Sequence, residues 1–284
     1  MSSIQIITLS ENSAPAKINL IAEWGLSFLL RTKNNTILFD AGRNISAYYN
    51  AQLLGIDLNE IDKIVLSHSH SDHTGGLRYI LERMDKRKEI EIIAHPDIWS
   101  ERYARYDNEK NKYVGIPFLQ EELKKYGAYF HLTRESIEIS KEMITSGEIP
   151  VLTDFEEMNS GKIRRLILKD GKYIEDKLLD DLAIFFKSDK GLIIITGCAH
   201  RGIVNTIYHA QNLTGIKNVY AVIGGAHLFE ASQERIDLTI NALEKLNVKK
   251  IGLCHCTGLK AISSLITQLP DKFISIISGS VLTF

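Results

Sequence analysis

His68-Ser69-His70-Ser71-Asp72-His73 places three imidazoles and a carboxylate within six residues. Imidazole nitrogens and a carboxylate suit zinc or another borderline first-row cation better than calcium or magnesium, which favour oxygen-only shells. Just upstream, Lys63-Ile64-Val65-Leu66-Ser67 has the apolar, β-branched character of a strand entering a core. Residues two apart at a strand end point the same way, so His68 and His70 are placed to grip one cation together. Asp72 and His73 fall where the chain curls toward the next helix and can face a second cation. The pattern predicts a metal site.

Three more histidines occupy the same slot, directly after an apolar strand in a glycine-bearing turn. They sit in Gly197-Cys198-Ala199-His200, Gly224-Gly225-Ala226-His227-Leu228 and Cys254-His255-Cys256-Thr257-Gly258. Ligands at the carboxyl ends of several strands can converge on one cleft, where α/β sheets place their sites. The three cysteines of the chain all lie in these turns. Strand alternation would turn Cys254 and Cys256 away from the face His255 uses, and Cys198 precedes its histidine by two residues. They are expected to be small buried residues near a reduced site, with only Cys198 or a looped-out Cys256 able to join a metal.

The elements that must carry these turns are legible from apolar periodicity. Ile4–Leu9, Leu26–Thr32 and Thr36–Phe39 read as strands, the last two joined by a turn at Lys33-Asn34-Asn35. A helix over Asn44–Leu54 stops at Gly55. After the strand at 63–67 come a helix from about Gly75 to Met84 and a strand at Ile90–Ala94. The second half repeats the outline. Strands at Leu182–Lys187, Leu192–Thr196, Val219–Ile223 and Ile251–Leu253 alternate with helices at about 203–213, 232–246 and 259–269, before a last strand near Phe273–Ile277. Ile163–Ile174 reads as a hairpin turning at Asp170-Gly171. Two such halves suggest an α/β (α+β) fold with two sheets packed face to face and helices outside. The whole of 1–284 is expected to be one domain, with an inserted, tyrosine-rich, cap-like segment at about 96–160 that bears Tyr103, Tyr106, Tyr113, Tyr126 and Tyr129.

Composition narrows the function. The 34 basic and 35 acidic residues give a formal net charge of −1, which argues against a nucleic-acid partner. The longest aliphatic stretch, Leu192–Ile195, is far too short for a bilayer, and residues 1–17 lack the pattern of a signal peptide. Three cysteines are too few to staple a chain of 284 residues, so the expected compartment is the cytoplasm.

His-x-His-x-Asp-His after a strand, with single histidines at later strand ends, resembles the metallo-β-lactamase superfamily over essentially the whole chain. Phe39-Asp40-Ala41-Gly42 is similar to that superfamily's early acid-bearing element. The resemblance implies an αββα sandwich of two mixed β-sheets flanked by helices. It implies one metal held by His68, His70 and His200, another by Asp72, His73 and His255, and Asp40 bracing the site from behind. In most two-metal members an acid bridges the cations, and the matching position here is His227. A neutral imidazole has one lone pair and cannot bridge as a carboxylate does. One tightly bound ion is therefore expected, with the second site weak or conditional. Zinc is the favoured metal, with iron or manganese the alternatives. His227 is then either a ligand or a proton donor and substrate contact.

The three glycine-bearing turns are more specific still. They resemble the subgroup of metal-dependent hydrolases (β-lactamase superfamily II) that includes synthases joining a dihydropterin to a ribofuranosylaminobenzene 5′-phosphate. The resemblance implies a hydrolase in which metal-activated water attacks a phosphoester or acyl centre of a small molecule, with Asp72 orienting the water, taking its proton or ligating a second cation. The alternative is a transferase of the methanopterin-pathway kind, and below it iron-dependent redox chemistry. Backbone N–H groups at the helix starts after Gly75-Gly76, Gly202 and Gly258 offer further places for a phosphate or carboxylate of the substrate. Substrate identity and oligomeric state are left open.

Overall fold

The structure is a computed structural model that describes residues 3–16, 18–85, 89–106, 109–156 and 163–284. The chain forms two compact units. The first comprises Ser3–Arg102, Tyr113–Arg134 and Ile276–Phe284; the second contains Tyr103–Lys112 and Glu135–Ser275. Each unit has its own mixed sheet, helices and apolar core, in keeping with the expected α/β class.

In the first unit a seven-stranded sheet runs in the order Val281–Thr283, Gln5–Ser10, Ser27–Arg31, Thr36–Phe39, Lys63–Val65, Ile90–Ala94, Ala128–Leu132. The first four strands pair antiparallel and the rest parallel. Lys63–Val65 lies between two parallel neighbours, so its Ile64 and Val65 are buried and its carboxyl end opens directly into the His68 motif. Helices Ser46–Leu53 and Leu77–Arg83 bury Ala47, Ala51, Leu77, Ile80 and Leu81 in the same core as Leu29, Leu38, Ile64 and Ile92. Gly55 follows the first helix at φ 68°, the left-handed turn that its position suggests.

In the second unit a five-stranded sheet has the order Lys250–Cys254, Val219–Gly225, Gly191–Thr196, Ala183–Ser188, Met143–Thr145. The first three strands are parallel, and each ends in one of the histidine turns. Helix Ile203–Thr214 buries Ile203, Val204, Ile207 and Ala210, one stripe at helical spacing, and stops at Gly215 with φ 73°. Helix Gln233–Lys245 starts where the Ser232 hydroxyl accepts from Arg235 N–H. A smaller sheet pairs the hairpin Ile163–Lys169 and Lys172–Glu175 with Arg102–Tyr106 and Lys112–Tyr113. That hairpin turns at Asp170-Gly171 with both φ values positive, the geometry that matches strand twist.

Two expectations differ. The apolar stretch Phe273–Ile277 makes a single bridge, Phe273 with Ile251, rather than a strand. The final strand is Val281–Thr283 instead, pairing with Gln5–Ile7; it is too short and too exposed to announce itself by periodicity. The 96–160 segment contains short strands and a helix at Gln120–Lys124, and it contributes to both units. Among the described residues no helix is long and apolar enough to cross a membrane.

Gly224 faces Thr196 across the parallel pair at φ 122°, and a Cβ there would stand 2.0 Å from the Thr196 carbonyl oxygen. Gly55 also has a positive φ, 68°, but nothing lies within 4 Å of its would-be Cβ. Gly224→Ala is expected to destabilise by about 3 kcal/mol or more, adding a backbone clash to conformational strain, and Gly55→Ala by only about 1 kcal/mol. Denaturant melts of the two variants check this; equal losses would show that the strand pair yields without cost.

Candidate metal centre

The motif of the first unit is organised by Asp40, which lies at φ 60° just past its strand and is fully buried. Its carboxylate accepts from Ser67 N–H at 2.7 Å, from the Ser67 hydroxyl at 2.7 Å and from His73 Nδ1 at 2.7 Å. Because His73 gives Nδ1–H to Asp40, its lone pair is on Nε2. The Ser67 hydroxyl spends its proton on Asp40, so its contact of 2.9 Å with His68 Nδ1 has the imidazole as donor. His68 therefore also presents Nε2, which lies 3.0 Å from His70 Nδ1. Burial, with His73 and His70 beside it, holds the His68 imidazole well below its ordinary pKa. A buried, neutral imidazole with its lone pair turned toward a second imidazole is the donor chemistry a divalent cation requires.

The short helix Ser71–Thr74 carries Asp72 and His73. Trp24 Nε1 donates to Asp72 Oδ2 at 2.9 Å, and His73 Nε2 stands 4.0 Å from the same oxygen. The glycines that follow serve packing. A Cβ on Gly75 would lie 2.1 Å from Arg43 O, and one on Gly76 2.2 Å from Ala41 O. Their N–H groups donate to Ser71 O and Gly42 O. The N–H groups of these two glycines are thus committed to the protein. Arg102, buried, donates from Nη1 to Ser69 Oγ and adds positive charge beside His68.

In the second unit the three strand-end turns are tied together. Gly225 N–H donates to Gly197 O at 2.9 Å, Ala226 N–H to Thr257 Oγ1 at 3.1 Å, and Phe229 N–H to Cys256 O at 3.1 Å. Two sets of ligand atoms result, each with all members within 4.8 Å of one another: Cys198, His200 and His227, and Cys198, His255 and Cys256. Cys256 is the looped-out case that the sequence left open. The strand ends at Cys254, His255 takes φ 52°, and a tight turn over His255–Thr257 brings the Cys256 sulfur round toward His255. His200 and His227 stack with ring centroids 4.1 Å apart.

Sequence reasoning missed several supporting residues. Arg165, buried on the hairpin strand, donates from Nη2 to His227 Nε2 and to Glu230 Oε2 at 3.4 Å. A guanidinium only donates, so His227 Nε2 accepts here. Asp181 is fully buried under the His200 turn, accepts from Arg201 N–H at 2.9 Å, and is pushed up to about 7 by burial. Glu156 accepts from Val204 and Asn205 N–H at 3.0 and 2.8 Å, so the helix start after Gly202 is capped from within and is not an anion site. Arg165, Asp181 and Glu156 all stand far from the histidines in the chain, and no local pattern marks them.

The model of the family described as the metallo-beta-lactamase superfamily matches residues 25–154. A curated relative from Methanocaldococcus jannaschii, a 7,8-dihydropterin-6-methyl-4-(beta-D-ribofuranosyl)-aminobenzene-5'-phosphate synthase, is 37% identical over 99% of this chain and 97% of its own. The chain belongs to the metallo-beta-lactamase superfamily. A second relative from the same organism, an uncharacterized protein, is 34% identical over 90% of this chain and 92% of its own. The crystal structure of a metal-dependent hydrolase of the beta-lactamase superfamily matches with TM-score 0.81 and 25% identity, covering 98% of each chain. This superfamily fold is the one expected from the strand-end histidines.

Asp40→Asn keeps the shape but replaces one acceptor oxygen with a donor, so His73 or Ser67 loses its partner. Metal affinity, measured by competition with a chromophoric chelator, is expected to fall about 10–100-fold. Unchanged affinity would show that Asp40 shapes the fold without acting on the ligands.

Proposed function

We propose that this protein is a metal-dependent synthase that couples a dihydropterin to a ribofuranosylaminobenzene 5′-phosphate. The observation that carries this reading is the 37% identity, along nearly the full length of both chains, to the synthase of that name. In this reading His68, His70 and His200 hold one cation tightly, and Asp72, His73 and His255 hold a second more weakly. Zinc fits these donors, with iron or manganese as alternatives, and the thiols of the second unit suit a reducing, cytoplasmic setting. When bound, the cation polarises a phosphoryl oxygen and lowers the pKa of an attached water.

The chain's own residues do the rest. The arylamine nitrogen forms a bond to the pterin methylene carbon, the carbon–oxygen bond to a diphosphate breaks, and the amine proton leaves with the departing diphosphate. Trp24 fixes one Asp72 oxygen and so aims the other. Arg165, by donating to His227 Nε2, holds that ring beside His200. Tyrosines of the 96–160 segment supply stacking surface for two aromatic rings; Tyr103 already packs edge-on to Tyr173 at 5.1 Å. The second reading is hydrolysis of a small phosphoester or acyl compound, favoured by the structural match to the metal-dependent hydrolase. Its chemistry uses the same residues with water in place of the amine.

Incubation of metal-loaded protein with a dihydropterin diphosphate and the arylamine phosphate, followed by mass detection, separates the two. Coupled product is expected, reduced at least about 100-fold in His68→Ala and in Asp72→Asn. Release of the pterin alcohol alone would favour hydrolysis. Full turnover in both variants would remove the metal from the reaction.

A further inference from the structure

Among the described residues Cys198 is shared by both ligand clusters of the second unit. Its sulfur lies within 4.8 Å of ligand nitrogens of His200 and His227, and within 4.8 Å of those of His255 and the Cys256 sulfur. Ligand atoms around one tetrahedral cation stand roughly 3.5 Å apart, so a small side-chain adjustment closes the His255 set into a coordination shell, whereas the His227 lone pair is already taken by Arg165. The residue is 3% exposed, which keeps competing water away.

Charge gives this position its meaning. Asp72 is the sole carboxylate in the ligand set argued above, and position 227 carries an imidazole whose Nε2 accepts from the Arg165 guanidinium. Two divalent cations in a buried site with one carboxylate are under-compensated. A thiolate supplies the missing negative charge, and its sulfur has lone pairs enough to contact two cations where an imidazole nitrogen reaches one. The other cysteines are placed differently. The Cys256 thiol donates to the Cys198 carbonyl at 3.6 Å. Cys254 belongs to neither cluster. Gly225 permits the arrangement, since a Cβ there would stand 2.6 Å from the Cys256 sulfur and 3.1 Å from Cys198 Cα.

We propose that Cys198 is a thiolate ligand of the metal centre, supplying the anionic charge at the weaker position beside His255. The proposal rests on the metal-dependent reading above. Binding releases the thiol proton to solvent, and occupancy of the second position then depends on Cys198 staying reduced. Sulfur also biases that position toward zinc, iron or cobalt and away from magnesium or calcium.

The test is titration of the reduced, chelator-stripped full chain with cobalt(II), read by absorbance. A near-ultraviolet sulfur-to-cobalt charge-transfer band is expected in the wild type, in Cys254→Ser and in Cys256→Ser. It should be lost in Cys198→Ser, with affinity for the second equivalent down about 10-fold or more. Cobalt binding without that band, or a band that survives in Cys198→Ser, overturns the assignment while leaving the metal-dependent reading intact. Failure of the wild type to bind cobalt or zinc at all overturns both. Should Cys198→Ser not fold, the zinc absorption-edge spectrum of the wild type decides. A sulfur neighbour at about 2.3 Å supports the ligand, and a shell of only nitrogen and oxygen excludes it.

Discussion

The order of the His68 motif depends on one buried carboxylate. An ionised acid with no exposure to water is costly unless its oxygens are fully used, and Asp40 is satisfied by three donors at 2.7 Å. Two of those donors belong to Ser67 and the third to His73, so the requirement that keeps the acid stable also sets where the motif turns. Through Ser67 it reaches His68, and directly it reaches His73. Both imidazoles end up with Nδ1 as donor and Nε2 as the lone-pair nitrogen. The same contacts therefore serve folding and fix the lone pairs of the candidate ligands.

Backbone strain marks the same places. Asp40, Ala199, His227 and His255 all take positive φ, between 45° and 60°, without being glycine. Each such residue costs of the order of 1–3 kcal/mol and persists only where surrounding structure insists on it. Here the insistence comes from the buried parallel strands that end just before each turn, and from the N–H to carbonyl bonds that lash the turns of the second unit together. Glycine takes over where even that is insufficient, at Gly224 and Gly225, whose missing side chains let neighbouring backbones meet. The candidate ligands sit at the strained ends and the buried apolar residues in the strands behind them.

Most of this was legible in the chain because the strands leading to the histidines are buried and apolar on both faces, and their turns carry glycine. The strand Ile90–Ala94 matches the apolar pattern to the residue, and the helix Ile203–Thr214 to within one. Alternation alone could not decide Cys256, because the strand ends two residues earlier and the residue loops out, the exception the sequence left open. Arg165, Arg102 and Glu156 were invisible for a different reason. They come from segments distant in the chain, and a lone charged residue in a short strand or loop looks the same whether it faces water or a site. The pair Gly75-Gly76 is a point of close backbone approach. Chain similarity then supplied what periodicity could not, a family with a named chemistry.

The most direct measurement of the central claim is the anomalous diffraction signal of crystals grown from protein purified without added metal. The account predicts a strong peak within bonding distance of His68 Nε2 and His70, and a weaker one beside Asp72 and His255. Absence of any peak next to His68 and His70, in protein with its thiols reduced, would contradict it.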